Sequence, residues 1–258
     1  MTDKGPITAL DIAALARSYD ILAYDGKLRA LAAQAVPRQD LDGLKKPELH
    51  KLLSRVILGH FKGESALKAK LVQRFIKQKV TAAFEIKVGR SRADFLTING
   101  DTKSFEIKSE LDNLQKLPKQ TRDYQQVFDY NYLVIDQKHA RNARKIVPQN
   151  YGILFPHGGR LIEDRPALLN TAHDALAQLN LFTKKELIRT FRIPGITPAE
   201  IAVNFGADEI NHRFKRMLND RYTKRWQFLV QHQQQIHPID YQFFFQHNIL
   251  PEIIYGIS

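Results

Sequence analysis

The sequence predicts an α/β fold: a mixed sheet flanked by helices, with helices ahead of it and a mostly helical C-terminal region behind it. Three observations predict this. Apolar periodicity switches from helical to alternating near residue 80. Asn99-Gly100-Asp101, set between two alternating runs, is a hairpin signal. Beyond residue 110 helical and strand patterns take turns, and strand–helix–strand connections over 104–136 and 130–155 place parallel neighbours beside the hairpins.

The elements follow in order. Residues 8–34 carry Ile12, Leu15, Ala16 and Tyr19 on one helical stripe, and Leu28, Leu31 and Ala32 on its continuation past a turn near Asp25-Gly26. Pro37 ends this part. Pro47 sits where a first helical turn accepts proline, ahead of Leu49, Leu52, Leu53, Val56 and Ile57. A third helix is expected over 65–78, capped by Ser65 and burying Leu67, Leu71, Val72 and Phe75. VTAAFEIKVG, RADFLTING and KSFEIKSE read as three strands. Pro118 opens the next helix, with Asp112 expected as its cap. A strand follows at 130–135, then a helix ending at Val147 before Pro148, then a strand in YGILFPHGG. From 165 on the patterns are helical, starting with DRPALLNTAHDALAQLN. Thr183 with Glu186, and Thr197 with Glu200, have capping-box spacing. Trp226 lies in a helical stripe with Tyr222 and Leu229 and reads as core, and the aromatic tail, Tyr241 to Tyr255, is expected to pack on the same chain. This organisation gives an N-terminal helical segment at 1–60, a sheet core at 61–164 and a helical region at 165–258. There is no repeat and no low-complexity linker.

The composition narrows the function. The chain has 258 residues and no cysteine, which excludes disulfides, thiolate metal sites and cysteine nucleophiles. Lysine and arginine number 39 against 27 acidic residues, a net charge of +12 that suits a polyanionic partner such as nucleic acid. No apolar run approaches the roughly 18 residues of a membrane span, and the N-terminus lacks an export signal, so a cytoplasmic location with no membrane partner is expected. No Walker A or HExxH sequence occurs.

The chemistry gathers between residues 84 and 136. On the third strand Glu106 and Lys108 are two apart and share a face, while Phe105 and Ile107 take the other. A turn centred between residues 100 and 101 sets Glu106 opposite residue 95, and a bulge or a displaced turn brings Asp94 beside it. Two adjacent carboxylates need neutralising, and an oxygen-preferring cation such as Mg²⁺, held by Asp94, Glu106 and the carbonyl of Ile107, would do it. Such an ion could activate water against a phosphodiester. Lys108 could steady the attacking water or stabilise growing charge; a role as proton acceptor would require a lowered pKa. Glu85 on the first strand is a further candidate ligand. The same residues also read as ordinary ion pairs on a solvated sheet face: Asp94 with Arg92, and Glu106 with Lys108 or Lys87.

R-A-D-F at 92–95 followed by F-E-I-K-S at 105–109 resembles the PD-(D/E)XK nuclease superfamily, whose core order is α-β-β-β-α-β. Asp94, Glu106 and Lys108 match its three motif positions, and Ala93 replaces the usual proline. The longer stretch EIKSELDNLQKLPKQTRDYQQVFDY resembles a poorly characterised bacterial and phage-associated branch, with Lys116 where arginine is common. The likeness covers residues 65–160. It implies a restriction-endonuclease-like core and a Mg²⁺-dependent DNA endonuclease, with Mn²⁺ able to substitute, in defence or mobile-element biology. It also implies that the helix after the motif adds polar side chains, for which Gln120 and Tyr124 are the candidates. A homodimer would suit double-strand cleavage. Cations expected on the substrate are Arg90, Arg92, Lys116, Lys119 and Arg122 near the site, and Arg213, Lys215 and Arg216 in the C-terminal region. The alternatives are a catalytically inactive nucleic-acid-binding module with the same fold, and an interaction protein built on the C-terminal helices.

Overall fold

The computed structural model describes residues 9–36, 39–157 and 160–256; Pro37 lies outside them. In chain order the elements are α1 (Ala9–Ser18), α2 (Asp25–Ala35), α3 (Lys46–His60), α4 (Glu64–Phe75), β1 (Thr81–Val88), β2 (Ser91–Asn99), β3 (Asp101–Lys108), α5 (Leu117–Gln125), β4 (Tyr130–Ile135), α6 (Ala140–Ile146), β5 (Gly152–His157), β6 (Arg160–Arg165), α7 (Ala175–Leu179), α8 (Lys184–Phe191), α9 (Pro198–Asn204), α10 (Ala207–His232), α11 (Tyr241–His247) and α12 (Pro251–Tyr255). Two compact units emerge, residues 1–76 with 228–258, and residues 77–227. The boundaries expected at 60 and 164 fall elsewhere for physical reasons. Helix α4 is tied to the C-terminal part, where Lys68 Nζ donates to Gln242 Oε1 at 3.0 Å. Helices α7 to α9, and α10 as far as Gln227, go with the sheet, where Trp226 packs against Phe95.

The first unit is helical. Leu28, Leu49 and Leu53 are fully buried at its centre. The aromatic tail packs on its own chain, as expected: Tyr255 and Phe244 lie 5.5 Å apart between ring centroids, and Tyr255 lies 5.1 Å from His50. This core holds a buried carboxyl, Asp240, whose Oδ2 accepts from Tyr255 OH at 2.7 Å and Tyr19 OH at 3.0 Å. Burial pushes Asp240 up to about 7, because two neutral hydroxyls only partly replace the water lost.

The second unit is built on a six-stranded sheet in the order β1-β2-β3-β4-β5-β6. β1, β2 and β3 are antiparallel, β3–β4 and β4–β5 are parallel, and β5–β6 is antiparallel. Asn99 pairs with Asp101, so the hairpin pivots on Gly100 at φ +73°, a conformation open to glycine. The pivot lies on residue 100, not between 100 and 101, and this shifts the register by one.

That register builds an aromatic row across the sheet. Phe84 opposes Phe95, Phe95 opposes Phe105, Phe105 opposes Tyr132, and Tyr132 opposes Gly152. Phe105 and Tyr132 stack at 5.1 Å, and Trp226 of α10 closes on Phe95 at 6.1 Å. Gly152 makes room for the last ring, since a Cβ there would meet the Tyr132 ring at 2.3 Å. On the other face α5 and α6 cover Leu133, Ile135, Ile153 and Phe155.

Several local expectations change. The cap of α4 is Gly63, not Ser65, because the helix starts one residue earlier. Asp25-Gly26 opens α2 in place of a turn. Asp112 does not cap α5; its Oδ2 accepts from Ser109 N at 2.7 Å and closes the loop after β3. β6 is a strand that sequence periodicity missed, being mostly exposed and charged, and residues 166–174 are irregular where a helix was expected. Both capping boxes form, Thr183 with Glu186 and Thr197 with Glu200.

Candidate active site

One residue along from the aromatic row, side chains emerge on the opposite face. By register that row is Glu85, Asp94, Glu106 and Leu133: Phe84–Phe95 and Ile86–Ala93 bracket Glu85–Asp94, the Phe95–Phe105 pairing extends to Asp94–Glu106, and Glu106 opposes Leu133. No bulge is needed to bring Asp94 to Glu106. Among the described pairs, the backbone ladder lapses where this row crosses β1 and β2. Glu85 sits in the left-handed region at φ 59°, a strained conformation for a residue with a Cβ. The Asp94 side chain takes over there, its Oδ2 accepting from the Ile107 N–H at 2.7 Å. A carboxylate oxygen of Glu85 and one of Asp94 lie within 4.8 Å of each other.

Glu106 is 2% exposed and receives three donors. Lys108 Nζ and Gln120 Nε2 donate to Oε1 at 2.5 and 2.6 Å, and Tyr124 OH donates to Oε2 at 2.7 Å. Gln120 and Tyr124 are four apart on α5, so they meet the strand from one helical face. Burial raises the Glu106 pKa above the ordinary carboxylate value, and Lys108 leads the donors that oppose it. For Lys108, burial works to lower the pKa, but Glu106 more than offsets it and the pKa is raised. The lowered pKa that a proton-acceptor role would require is not what this pairing favours. Tyr124 is also raised, by burial first and then by Glu106, and stays a donor.

Five of the six expected catalytic side chains thus converge through bonds or register around Glu106 and Asp94, and Glu85 joins through Asp94. Their bonding mixes the two sequence readings. Glu106 pairs with Lys108, while Arg92 Nε lies 2.8 Å from Glu85 Oε2 and not on Asp94. Glu85 and Asp94 offer neighbouring carboxylate oxygens of the hard type Mg²⁺ takes, whereas both oxygens of Glu106 already accept from Lys108, Gln120 and Tyr124.

The expected substrate cations divide. Arg90, Lys116, Arg122 and Arg216 are exposed. Lys119 is exposed too, but engaged: its Nζ donates to Asp123 Oδ2 at 2.5 Å and Ser91 Oγ at 3.2 Å, and Ser91 Oγ donates to Asp123 at 2.6 Å. This cluster pins the β1–β2 turn, which carries Arg90, to α5. Sequence reasoning missed it, although the Lys119–Asp123 spacing of four was a signal. Arg213 is engaged inside the unit. Its guanidinium lies over Phe191 and Phe205 at 4.8 and 5.3 Å, and it donates to Thr190 O. Lys215 is also internal, tying Asp101 and Asp129.

Fold and site together define a mixed α/β protein with a buried carboxylate–lysine centre on the sheet face that α5 covers. A family model described as bacteriophage P4 protein cII matches residues 60–244, and the chain belongs to that family. The match runs through the helical region that the motif likeness left out. Among solved structures, a protein of unknown function from Silicibacter pomeroyi is similar at 16% identity, over 51% of this chain and 92% of that chain, with a TM-score of 0.35. No curated protein matches. Among the described residues, no helix is long and apolar enough to cross a membrane.

Proposed function

We propose that the protein is a metal-dependent endonuclease that hydrolyses phosphodiester bonds in DNA, with its site on the acidic row of β1, β2 and β3. The observation that carries this reading is the register. It lines up Glu85, Asp94 and Glu106 on three adjacent strands, with Lys108 next to Glu106 and two polar side chains of α5 facing it. The element order α4-β1-β2-β3-α5-β4 and the motif spacing support a relation to the PD-(D/E)XK nucleases.

Asp94, Glu106 and the carbonyl of Ile107 would hold Mg²⁺ or Mn²⁺, with Glu85 adjacent. When bound, the ion would supply Lewis-acid charge and a positioned water. The remaining work falls to the chain. Gln120 and Tyr124 fix the carboxylate plane of Glu106, as outer partners of ligands do. Lys108, charged, stabilises negative charge on the phosphoryl oxygens as it grows. The net charge of +12 favours a polyanionic substrate.

A nucleic-acid-binding module without catalysis is the competing reading. The observation favouring it is that protein donors already engage both Glu106 oxygens. The test is cleavage of supercoiled plasmid with Mg²⁺ or Mn²⁺, alongside calorimetric titration with Ca²⁺. The wild type should nick the plasmid, and Asp94→Ala and Lys108→Ala should not, with Asp94→Ala also losing Ca²⁺ binding. Cleavage retained in both variants defeats the site. Plasmid binding by the wild type without cleavage in either metal selects the competing reading.

A further inference from the structure

The C-terminal cations expected on the substrate are largely engaged inside the unit, yet the same region presents another basic surface. Helix α8 buries Leu187 and Phe191. Lys185 and Arg189 lie about half a turn around from Leu187, on the outward side, and Arg192 follows three residues on. All three are exposed, as is Lys184 beside them. None of the four takes part in an ion pair among the described residues.

The one acid on α8 is turned away from this stripe. Glu186 accepts from Thr183 N and Oγ1 in the capping box, at 2.8 and 2.7 Å. It is also clamped by Arg221, whose Nε and Nη2 donate to it at 2.7 and 2.5 Å. The outer stripe is therefore purely cationic, although like charges four apart weaken a short helix. Arg192 extends it from the left-handed C-cap, φ 58°, where glycine is the favoured residue. Neither feature serves the packing of α8, which rests on the opposite side.

We propose that Lys185, Arg189 and Arg192 form a docking surface for the phosphate backbone of duplex DNA. At about 1.5 Å rise per residue, the stripe spans roughly 10 Å. One DNA strand presents about three phosphates over that length, at about 3.4 Å each. Three point charges from flexible side chains against three phosphates give affinity without base readout. The surface shares the nucleic-acid partner of the nuclease reading but does not depend on catalysis.

The test measures binding of a fluorescein-labelled duplex of arbitrary sequence across a salt series, using full-length protein carrying Asp94→Ala so that the probe stays intact. Adding Lys185→Ala, Arg189→Ala and Arg192→Ala should weaken binding by about tenfold or more and reduce the log–log salt slope by about three. The charge-keeping set Lys185→Arg, Arg189→Lys and Arg192→Lys should restore both, which separates charge loss from misfolding. Arg17→Ala, Lys51→Ala and Arg55→Ala, which remove equal charge from exposed positions of the first unit, should leave the slope unchanged. An unchanged slope in the α8 set, equal losses in both alanine sets, or no duplex binding at all overturns the proposal. Wild-type binding without cleavage overturns the nuclease reading alone, because the α8 result is read where cleavage is already removed.

Discussion

Among the described residues, the sheet unit holds two lysine–carboxylate pairs whose carboxyl group is buried, and they differ in kind. Asp129 is 1% exposed. It accepts from Thr102 N and Oγ1 at 2.7 and 2.8 Å, and Lys215 Nζ lies 3.1 Å away. Burial alone would raise its pKa, but the Thr102 bonds and Lys215 more than offset this and hold it below the ordinary value. Glu106 is equally buried and has three side-chain donors, yet its pKa is raised. The difference is one of design. Asp129 receives a backbone N–H, fixed by the sheet itself, and serves to fasten α10 to the start of β3. Glu106 receives side chains alone, and its strand neighbour Asp94 brings a second negative charge to the same face. Asp129 is thus held as an anion, while burial works against the charged form of Glu106.

The comparison breaks if the two lysines respond alike to removal. The largest expected effect is on chemistry: Lys108→Met should lower single-turnover cleavage by about 10³-fold while costing less stability than the matching change at Lys215, because burial already works against the charged form of Glu106. Lys215→Met should do the reverse. It leaves a settled anion buried without its counter-ion, at about 3 kcal/mol of unfolding free energy, and cleavage per folded molecule should persist. Urea denaturation run beside the cleavage assay checks both. Equal stability losses would show that Glu106 is held as an anion no less firmly than Asp129.

A smaller effect sharpens the same contrast through pH. A carboxyl with a folded pKa below its unfolded value, about 3.9, contributes stability that is fully present above that value and is lost as pH falls through the folded pKa. Asp129→Asn should therefore be most destabilising near neutral pH, and its stability deficit should shrink as pH falls below about 4. A deficit independent of pH from 7 down to about 3 would mean that shape and hydrogen bonding at Asp129 matter and its charge does not.

Much of this was legible in the sequence for reasons that can be traced. Alternation in FEIKSE put Glu106 and Lys108 on one face, Asn99-Gly100-Asp101 announced the hairpin, and Thr-x-x-Glu twice announced a helix start; each is a local signal that the structure keeps. The pivot on Gly100 was off by half a residue from sequence because a turn type depends on backbone angles that composition does not fix. The Asp129–Lys215 pair was not legible at all. Its partners are far apart in the chain, and Lys215 looked like one more cation in a basic run. Likewise Glu186 reads as a capping acid, but only the fold shows Arg221 drawing it away from the α8 surface. β6 was missed because an edge strand with mostly exposed, charged side chains has no apolar period to detect.

The smallest expected effect concerns Tyr124. Its hydroxyl donates to Glu106 Oε2, the oxygen that Lys108 and Gln120 leave alone. Tyr124→Phe keeps the ring, which is buried and lies 6.4 Å from Phe128 between centroids, and removes one bond. If Tyr124 only orients Glu106, the variant should lose about tenfold in single-turnover cleavage, with DNA affinity and the pH profile unchanged. A loss as large as that of Asp94→Ala would make the hydroxyl a direct participant at the phosphate. No loss would mean that Lys108 and Gln120 hold the carboxylate unaided, and the donor cage around Glu106 would then resemble the structural clamp at Asp129 more closely than its side-chain origin suggests.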